Sequence, residues 1–242
     1  MNQFQQAIEY LNDPFNWTRD RGILDLLVQH LRISVLAVLA AAVLAVPLGM
    51  LLGHTGRGGG FSVALSNVSR AVPTLALLTL FAVTPIGFGP TATTIALAIF
   101  AFPPILTNTY VGFREVDRDV IEAARAMGMS ERQIVFRAEL PLAAPLVMTG
   151  LRTAAVQVVA TVTLAALVAG GGLGSIITLG FAQQDYGAVL AGAILVAALA
   201  VLTELLLVAI SWAFTPGPRR LFLPRSRSRV PAGALETTGV PL

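Results

Sequence analysis

Long apolar runs are the feature that most constrains what this chain can fold into. Several of them reach about 20 residues, the length at which an α-helix crosses the hydrocarbon core of a bilayer. Hydrophobic residues make up 55% of the 242 residues and the mean hydropathy is +0.77, which is too apolar for an ordinary soluble domain. The sequence therefore predicts an all-α integral membrane protein with a single polytopic domain.

Turn-forming or polar segments divide the apolar sequence into five predicted spans. The dividing segments are HTGRGGG at 54–60, GFGP at 87–90, the polar stretch 117–141 and GGGLGS at 170–175. The spans between them are 31–52, 72–88, 91–111, 142–169 and 188–214. Residues 31–214 are therefore taken as the transmembrane domain, with an interfacial helix to about Arg70 before the second span.

Prolines and glycines inside the spans predict local features of the helices. Pro47 is expected to kink the first span, and the Pro103-Pro104 pair is expected to break or kink the third. Gly49 and Gly53 form a G-x-x-x-G pair, for which a close helix contact and chance are about equally good explanations.

Two flanking segments lie outside the predicted spans. Residues 1–30 are mixed and polar, and apolar side chains between Phe4 and Leu11 recur at helical spacing, which predicts a short interfacial helix. Residues 215–242 are rich in proline, glycine, serine and arginine and are expected to form a disordered tail that contacts anionic lipids.

The arginines indicate which side of the membrane each loop faces. Eleven of the sixteen lie in 53–60, 112–141 and the tail, whereas the loops 84–90 and 170–187 have none. Since cytoplasmic loops carry the excess of basic residues, the sequence predicts a cytoplasmic C-terminus and an N-terminus on the outside. In a membrane protein this basic balance favours contact with lipid headgroups and gives no reason to expect nucleic acid as a partner.

The residue types that the chain lacks exclude several kinds of chemistry. All sixteen basic residues are arginines, so neither a lysine Schiff base nor the Gly-Lys-Ser/Thr of a phosphate-binding loop is present. The absence of cysteine excludes disulfides and thiol nucleophiles. His30 and His54, the two histidines, are far apart without acidic residues at metal spacing, and we interpret them as interfacial or loop residues. We expect no catalytic residue and no metal site in this chain.

The polar stretch 117–141 predicts two short helices joined at a glycine. Asp117 is placed to cap the first helix, and Gly128 supplies the left-handed residue that ends it. Ser130 and Gln133 then fit a capping box that starts the second helix. We call residues 117–141 the elbow.

The length and composition of the elbow favour a contact with another protein. Most connections between helices are far shorter than about 25 residues, and Ala123-Ala124 would let a partner's backbone approach closely. Pro141 and Pro145 fall where a further helix would begin. The alternative interpretation is a solvated loop stabilised only by its own caps.

Arg70, Arg152 and Glu204 lie within or at the edge of the predicted spans. Such groups are functional candidates because they are costly at membrane depth. Arg70 can extend to the cytoplasmic interface, whereas Arg152 and Glu204 can pair with each other. We favour an ion pair between the last two over a substrate or proton site, and both interpretations stay open.

The elbow resembles the cytoplasmic coupling motif of permeases from binding-protein-dependent ABC importers. The pattern is Glu-Ala-Ala, three residues, Gly, and Leu-Pro after eleven more, and here its residues are Glu122, Ala123, Ala124, Gly128, Leu140 and Pro141. The family usually has isoleucine where this chain has Ala138. The resemblance implies that the elbow docks as a coupling helix on an ATPase subunit.

The similarity extends over about residues 31–214 and is strongest to osmoprotectant importers. The matching segments are RAVPTLALLTLF at 70–81, ILTNTYVGFREVD at 105–117, IEAARAMGMS at 121–130 and 150–174. This resemblance implies the five-helix core of a type I importer in the bacterial cell membrane, carrying glycine betaine, choline, carnitine or proline. It also implies three partners: a second permease, a dimer of ATPase subunits that binds ATP and Mg, and an extracytoplasmic substrate-binding protein.

Other functions remain open at this stage. An ABC permease for another small solute such as methionine would share the elbow. An ion-coupled secondary transporter would be expected to show several polar midplane groups and inverted repeats, and a non-transporting scaffold would use the elbow only for docking. Quaternary amines are held in aromatic cages. The few Trp and Tyr residues are scattered toward span ends, so we expect the binding protein to provide primary selectivity.

Overall fold

A computed structural model describes residues 2–214, apart from the side chains of Val63, Arg70, Ala213 and Phe214. The predicted tail, 215–242, lies outside the described residues. The described α-helices are α1 Gln3–Asn12, α2 Pro14–Thr18, α3 Ile23–Thr55, α4 Gly59–Ala71, α5 Thr74–Ala82, α6 Pro90–Arg114, α7 Arg118–Ala126, α8 Glu131–Ile134, α9 Leu140–Ala165, α10 Gly174–Gln183 and α11 Tyr186–Phe214. A π-helical turn, Val135–Glu139, joins α8 to α9, and a 3-10 turn, Ala166–Val168, follows α9.

Four of the described helical segments are long and apolar enough to cross a membrane. They are α3, α6, the continuous helix Glu131–Val168 and the segment Tyr186–Trp212 of α11. A fifth span results if α4 and α5, which meet at an angle of 84°, are counted as one bent span. The all-α membrane architecture that the sequence predicts is therefore confirmed.

The second predicted span, 72–88, is a shorter helix in the structure. Helix α5 covers only Thr74–Ala82, and Pro73 separates it from α4. Val72 has extended backbone angles, φ −79° and ψ 119°, because a proline excludes the preceding residue from the helical region. The division between the interfacial helix and the second span therefore falls at Pro73, and the second span ends before residue 88.

The Pro103-Pro104 pair does not break the third span. Helix α6 runs without interruption from Pro90 to Arg114, with Pro103, Ile105 and Leu106 buried. A proline inside a helix costs about 3 kcal/mol, and α6 offsets this cost by packing along both α3 and α9. Tertiary packing thus outweighs the local preference.

Small residues bring α3 close to α6. Ala37, Ala41, Ala45, Gly49 and Gly53 follow one another at every fourth position of α3, and all five are buried. A Cβ on Gly49 would lie 2.7 Å from Cβ of Thr109, and one on Gly53 would lie 2.5 Å from Cβ of Phe113. The G-x-x-x-G pair is therefore a close helix contact, as found where small residues let two membrane helices approach.

The remaining helices surround this α3–α6–α9 core. Helix α11 packs against α9, α10 and the N-terminal helix α1, whose Ala7 is buried. The first span begins at Ile23 and not near residue 31, because the polar residues at its start find hydrogen-bond partners inside the protein. The elbow joins α6 to α9 at the opposite end of the core from α1.

Candidate functional site

The first arm of the elbow is helix α7, which is capped at both ends. The Asp117 carboxylate accepts a hydrogen bond of 3.0 Å from the backbone N–H of Asp119. Gly128 follows the helix with φ +79°, and no atom lies within 4 Å of the position where a Cβ would be. Glycine is thus required here by the left-handed backbone and not by lack of space. Both predicted caps are confirmed.

The second arm begins with the predicted capping box. The Ser130 backbone N–H donates to Gln133 Oε1 at 2.9 Å, and the Gln133 N–H donates to Ser130 Oγ at 3.4 Å. The helix then continues through the π turn into α9, so no break precedes Pro141, and the expectation of a separate short helix was wrong. In the π turn, the Leu140 N–H bonds to the Val135 carbonyl five residues back, and this change of register lets the helix pass the proline.

The motif residues divide between a packed face and an exposed face of the elbow. Ala124 is buried together with Ile121 against Phe113 and Ile134. Other residues of α7 and the turn are exposed to solvent, among them Glu122, Ala123, Met127 and Gly128. The inner face therefore anchors the elbow, while the outer face is free to contact a partner.

The last two motif residues lie at the start of α9. Leu140 is half-buried and packs against the cluster beneath α7, whereas Pro141 is exposed. Ala138, which replaces the usual isoleucine of the family, is half-buried in the π turn between them and α8. Alanine at this position makes less contact than isoleucine would, yet α7 and the helix that begins at Glu131 are both formed.

A charged network holds the two arms together. Arg125 Nε and Nη2 donate to the two carboxylate oxygens of Glu131 at 2.9 and 3.1 Å. The hydrogen bond to this carboxylate raises the pKa of the Arg125 guanidinium above its usual value. His54, in the last turn of α3, adds contacts with Glu131 at 3.3 Å and with Glu139 at 2.7 Å.

Sequence reasoning missed the role of His54. The interpretation as an interfacial or loop residue did not include the contacts of its imidazole with two carboxylates of the elbow. Glu139 lies 85 positions further along the chain, and no local pattern links the two segments. Among the described residues, no group of three His, Asp or Glu side chains is arranged to hold a metal ion.

His30 lies at the other end of α3 and is fully buried, which corrects its interpretation as an interfacial residue. Its Nε2 lies 2.9 Å from the Val159 carbonyl, and its Nδ1 accepts from the Leu173 N–H at 3.3 Å. The neighbouring Gln29 Oε1 accepts from the Gly172 N–H at 3.1 Å. These bonds tie α3 to α9 and to the glycine-rich loop that follows it.

Arg152 and Glu204 are the charged residues within the core spans that the structure brings together. Arg152 Nη2 lies 2.9 Å from Glu204 Oε1, which links α9 to α11. Their side chains remain 40% and 37% exposed, so one side of the pair is uncovered in the single chain. Arg70 belongs to α4, and its side chain lies outside the described residues.

The described Trp and Tyr side chains are divided between the N-terminal segment, α6 and α11. Trp17 Nε1 donates to the Leu11 carbonyl at 2.7 Å, and Arg19 Nη2 donates to Tyr10 Oη at 3.2 Å, so both rings belong to the N-terminal segment. Tyr186 and Trp212 are exposed near opposite ends of α11. An apolar groove of about 540 Å³ lies between α3, α4 and α6, and none of the described residues that line it is charged.

Comparison with known proteins gives the family. The family described as "Binding-protein-dependent transport system inner membrane component" matches residues 45–214, from the second half of α3 to the end of α11. This chain belongs to that family. The match includes the whole elbow, so the resemblance to ABC importer permeases that the sequence predicts is confirmed.

Several relatives are named as transport permeases for choline, carnitine or glycine betaine. The chain is 39% identical to the carnitine transport permease protein OpuCB of Listeria monocytogenes over 78% of this chain and 86% of that protein. It is 35% identical to the choline transport system permease protein OpuBB of Bacillus subtilis over 80% and 89%. It is 33% identical to the glycine betaine/carnitine/choline transport system permease protein OpuCB of Bacillus subtilis over 78% and 86%.

Solved structures of binding-protein-dependent permeases share the fold. A chain of the methionine ABC transporter MetNI, in an inward-facing conformation, superposes with a TM-score of 0.71 at 25% identity, covering 84% of this chain and 99% of that one. A second crystal form of the same transporter gives a TM-score of 0.69 at 24% identity, covering 80% and 96%. The architecture is therefore that of an ABC importer permease.

Proposed function

We propose that this chain is the membrane permease subunit of an ATP-driven importer for osmoprotectants of the quaternary amine class, such as choline, carnitine and glycine betaine. The observation that carries the proposal is the elbow. It is anchored to the core by Ile121 and Ala124, and it presents Glu122, Ala123 and Gly128 to solvent on its other face. This is the arrangement that a docking helix requires, in a chain whose relatives are named as osmoprotectant permeases.

The substrate class follows from the relatives and not from the fold. Relatives at 33–39% identity over more than three quarters of this chain are named for choline, carnitine or glycine betaine. The likeness to the methionine transporter rests on 24–25% identity and supports the shared architecture. Quaternary amines are therefore favoured over methionine.

ATP hydrolysis belongs to a separate chain in this proposal. The protein has no lysine, so it cannot supply the phosphate-binding loop of an ATPase. A dimer of ATPase subunits would bind ATP and Mg, close on nucleotide binding and displace the elbows docked on it. The arginine-rich side of the membrane domain, which carries the elbow, faces the cytoplasm by the positive-inside rule.

The substrate pathway lies between this permease and a second one, identical or homologous. An extracytoplasmic binding protein delivers the substrate and provides most of the selectivity. In support, the described Trp and Tyr side chains do not form a shared cage, and the apolar groove between α3, α4 and α6 is lined by no described carboxylate. The permease would then need only a weak and transient contact with its substrate.

Uptake in proteoliposomes tests this function. The complex of permease, ATPase and loaded binding protein is reconstituted, and uptake of labelled glycine betaine, choline, carnitine, proline and methionine is measured with ATP and with a non-hydrolysable analogue. We expect ATP-dependent uptake of one or more quaternary amines and background uptake of methionine. Uptake that persists without ATP hydrolysis, driven by an ion gradient, would contradict the proposal.

A further inference from the structure

Glu139 is a buried carboxylate in an irregular part of the elbow. Only 1% of the residue is exposed, and it ends the π turn that joins α8 to α9. Removing a carboxylate from water costs several kcal/mol unless a partner compensates, and π turns often occur at functional sites. The partner is His54, whose Nδ1 lies 2.7 Å from Glu139 Oε2.

His54 reaches two successive turns of the elbow helix. Besides the bond from Nδ1 to Glu139, its Nε2 lies 3.3 Å from Glu131 Oε2. Glu131 and Glu139 are eight residues apart, about two helical turns, and so lie on one side of the helix. The His54 side chain of α3 therefore contacts two turns of the helix that begins at Glu131. Arg125 links the same helix to α7.

The end of α3 that carries His54 is itself firmly seated. Gly53 packs against Phe113 of α6 so closely that a Cβ would lie 2.5 Å from the Phe113 Cβ. His54 follows directly, with its side chain 17% exposed. Displacement of the elbow is thus opposed at this point by a hydrogen-bonded, buried contact and not by a flexible surface pair.

We infer that His54 and Glu139 form a clamp that makes the end of α3 and the elbow move as one body during transport. Both are positioning residues, because they act on the transported substrate only through the movement of the spans. The inference rests on the proposed function and deepens it. The elbow passes its motion to α9 through the chain, and the clamp passes the same motion to α3, so both helices beside α6 respond together.

Substitutions of His54 test separately the contact of its Nδ1 with Glu139 and the contact of its Nε2 with Glu131. An asparagine amide nitrogen falls near the position of Nδ1 and a glutamine amide nitrogen near that of Nε2. His54→Asn should therefore keep substrate uptake per ATP hydrolysed close to that of the wild type. His54→Gln and His54→Ala should lower it about tenfold, within the range usual for coupled sites. Thr55→Ala, an exposed position in the same turn, is the matched control and should leave the ratio unchanged.

A covalent link provides a second test that does not depend on the fold tolerating alanine. The chain has no cysteine, so His54→Cys with Glu139→Cys introduces a unique pair that a short, reducible bifunctional thiol reagent can join. In the linked complex, the substrate uptake per ATP hydrolysed should be close to that of the wild type. Reduction of the link should lower the ratio about tenfold.

The outcomes distinguish the clamp from the proposed function. A wild-type complex that shows no ATP-dependent uptake of quaternary amines contradicts the function. If the wild type transports, three results each overturn the clamp. The first is equal uptake per ATP hydrolysed in His54→Asn and His54→Gln. The others are a linked cysteine pair that blocks transport, and an uptake per ATP hydrolysed that does not change when the link is reduced. Rescue by asparagine together with loss on reduction supports it.

Discussion

Arg125 and Glu131 face each other across the left-handed Gly128 and are joined by two hydrogen bonds of 2.9 and 3.1 Å. The pair closes the turn between α7 and the continuous helix that starts at Glu131. Because the inner face of α7 is packed against the core, the ion pair helps to fix the angle between α7 and the helix that starts at Glu131. The turn of the elbow thus combines one backbone feature, the positive φ of Gly128, with one charge pair.

Loss of the Arg125–Glu131 ion pair should weaken the coupling between the permease and the ATPase, and the size of this defect should depend on salt. Both side chains are half exposed or more, so their removal should change the thermal stability of the complex little. Arg125→Glu should instead lower the ATPase stimulation by loaded binding protein, and Glu131→Arg in the same chain should restore it, most clearly at low ionic strength. Failure of the charge swap to restore stimulation, with the complex intact, would show that the pair does not set the elbow angle.

The turn at position 128 requires a residue that can adopt a positive φ. Its φ of +79° disfavours residues with a Cβ by about 1–2 kcal/mol. Gly128→Ala should therefore reduce stimulated ATPase activity and uptake, and Gly128→Pro should abolish coupling because proline cannot adopt a positive φ. Gly128→Asn is the control, since asparagine tolerates the left-handed region. Unimpaired coupling in Gly128→Pro would count heavily against the elbow as the coupling device.

The close contact of α3 with α6 predicts that Gly53 cannot be enlarged. Gly53→Ala places a Cβ 2.5 Å from that of Phe113, and such overpacking costs about 1–3 kcal/mol. We expect a lower melting temperature of the purified complex. Gly60→Ala is the matched control, because nothing lies within 4 Å of its Cβ position. Equal melting temperatures for the two variants would mean that α3 shifts away from α6 at no cost.

Loss of the Arg152–Glu204 ion pair should impair assembly of the complex more than it changes substrate selectivity. Glu204→Gln leaves Arg152 without its ionic partner between α9 and α11, which is costly at membrane depth. The yield of assembled complex should fall, while the relative uptake of choline and glycine betaine stays unchanged. The exchange Arg152→Glu with Glu204→Arg should recover part of the yield. Normal yield with altered substrate preference would instead place the pair on the substrate pathway.

Local features of this fold could be predicted from the sequence because local chemistry determines them. The caps at Asp117, Gly128 and Ser130 depend on residues within three positions of each other, and all three are present. Arg152 and Glu204 were singled out because charged groups at membrane depth tend to pair, and they lie 2.9 Å apart.

Features that depend on distant contacts could not be predicted in this way. His30 and His54 bond to groups 129 and 85 positions away, and a single sequence carries no sign of either contact. The Pro103-Pro104 pair does not break α6, because the helix is packed on two sides. The second span was expected to run to residue 88, yet helix α5 ends at Ala82.

The unbroken helix from Glu131 to Val168 has a mechanical consequence. Its 38 residues extend over about 57 Å at about 1.5 Å per residue, from the surface where the elbow is exposed to the glycine-rich loop beyond α9. A rigid rod of this length that tilts by about 10° displaces its far end by about 10 Å. In the proposed function, a small rotation at the elbow would therefore be carried along this helix to its far end, provided that the π turn at Val135–Glu139 transmits it.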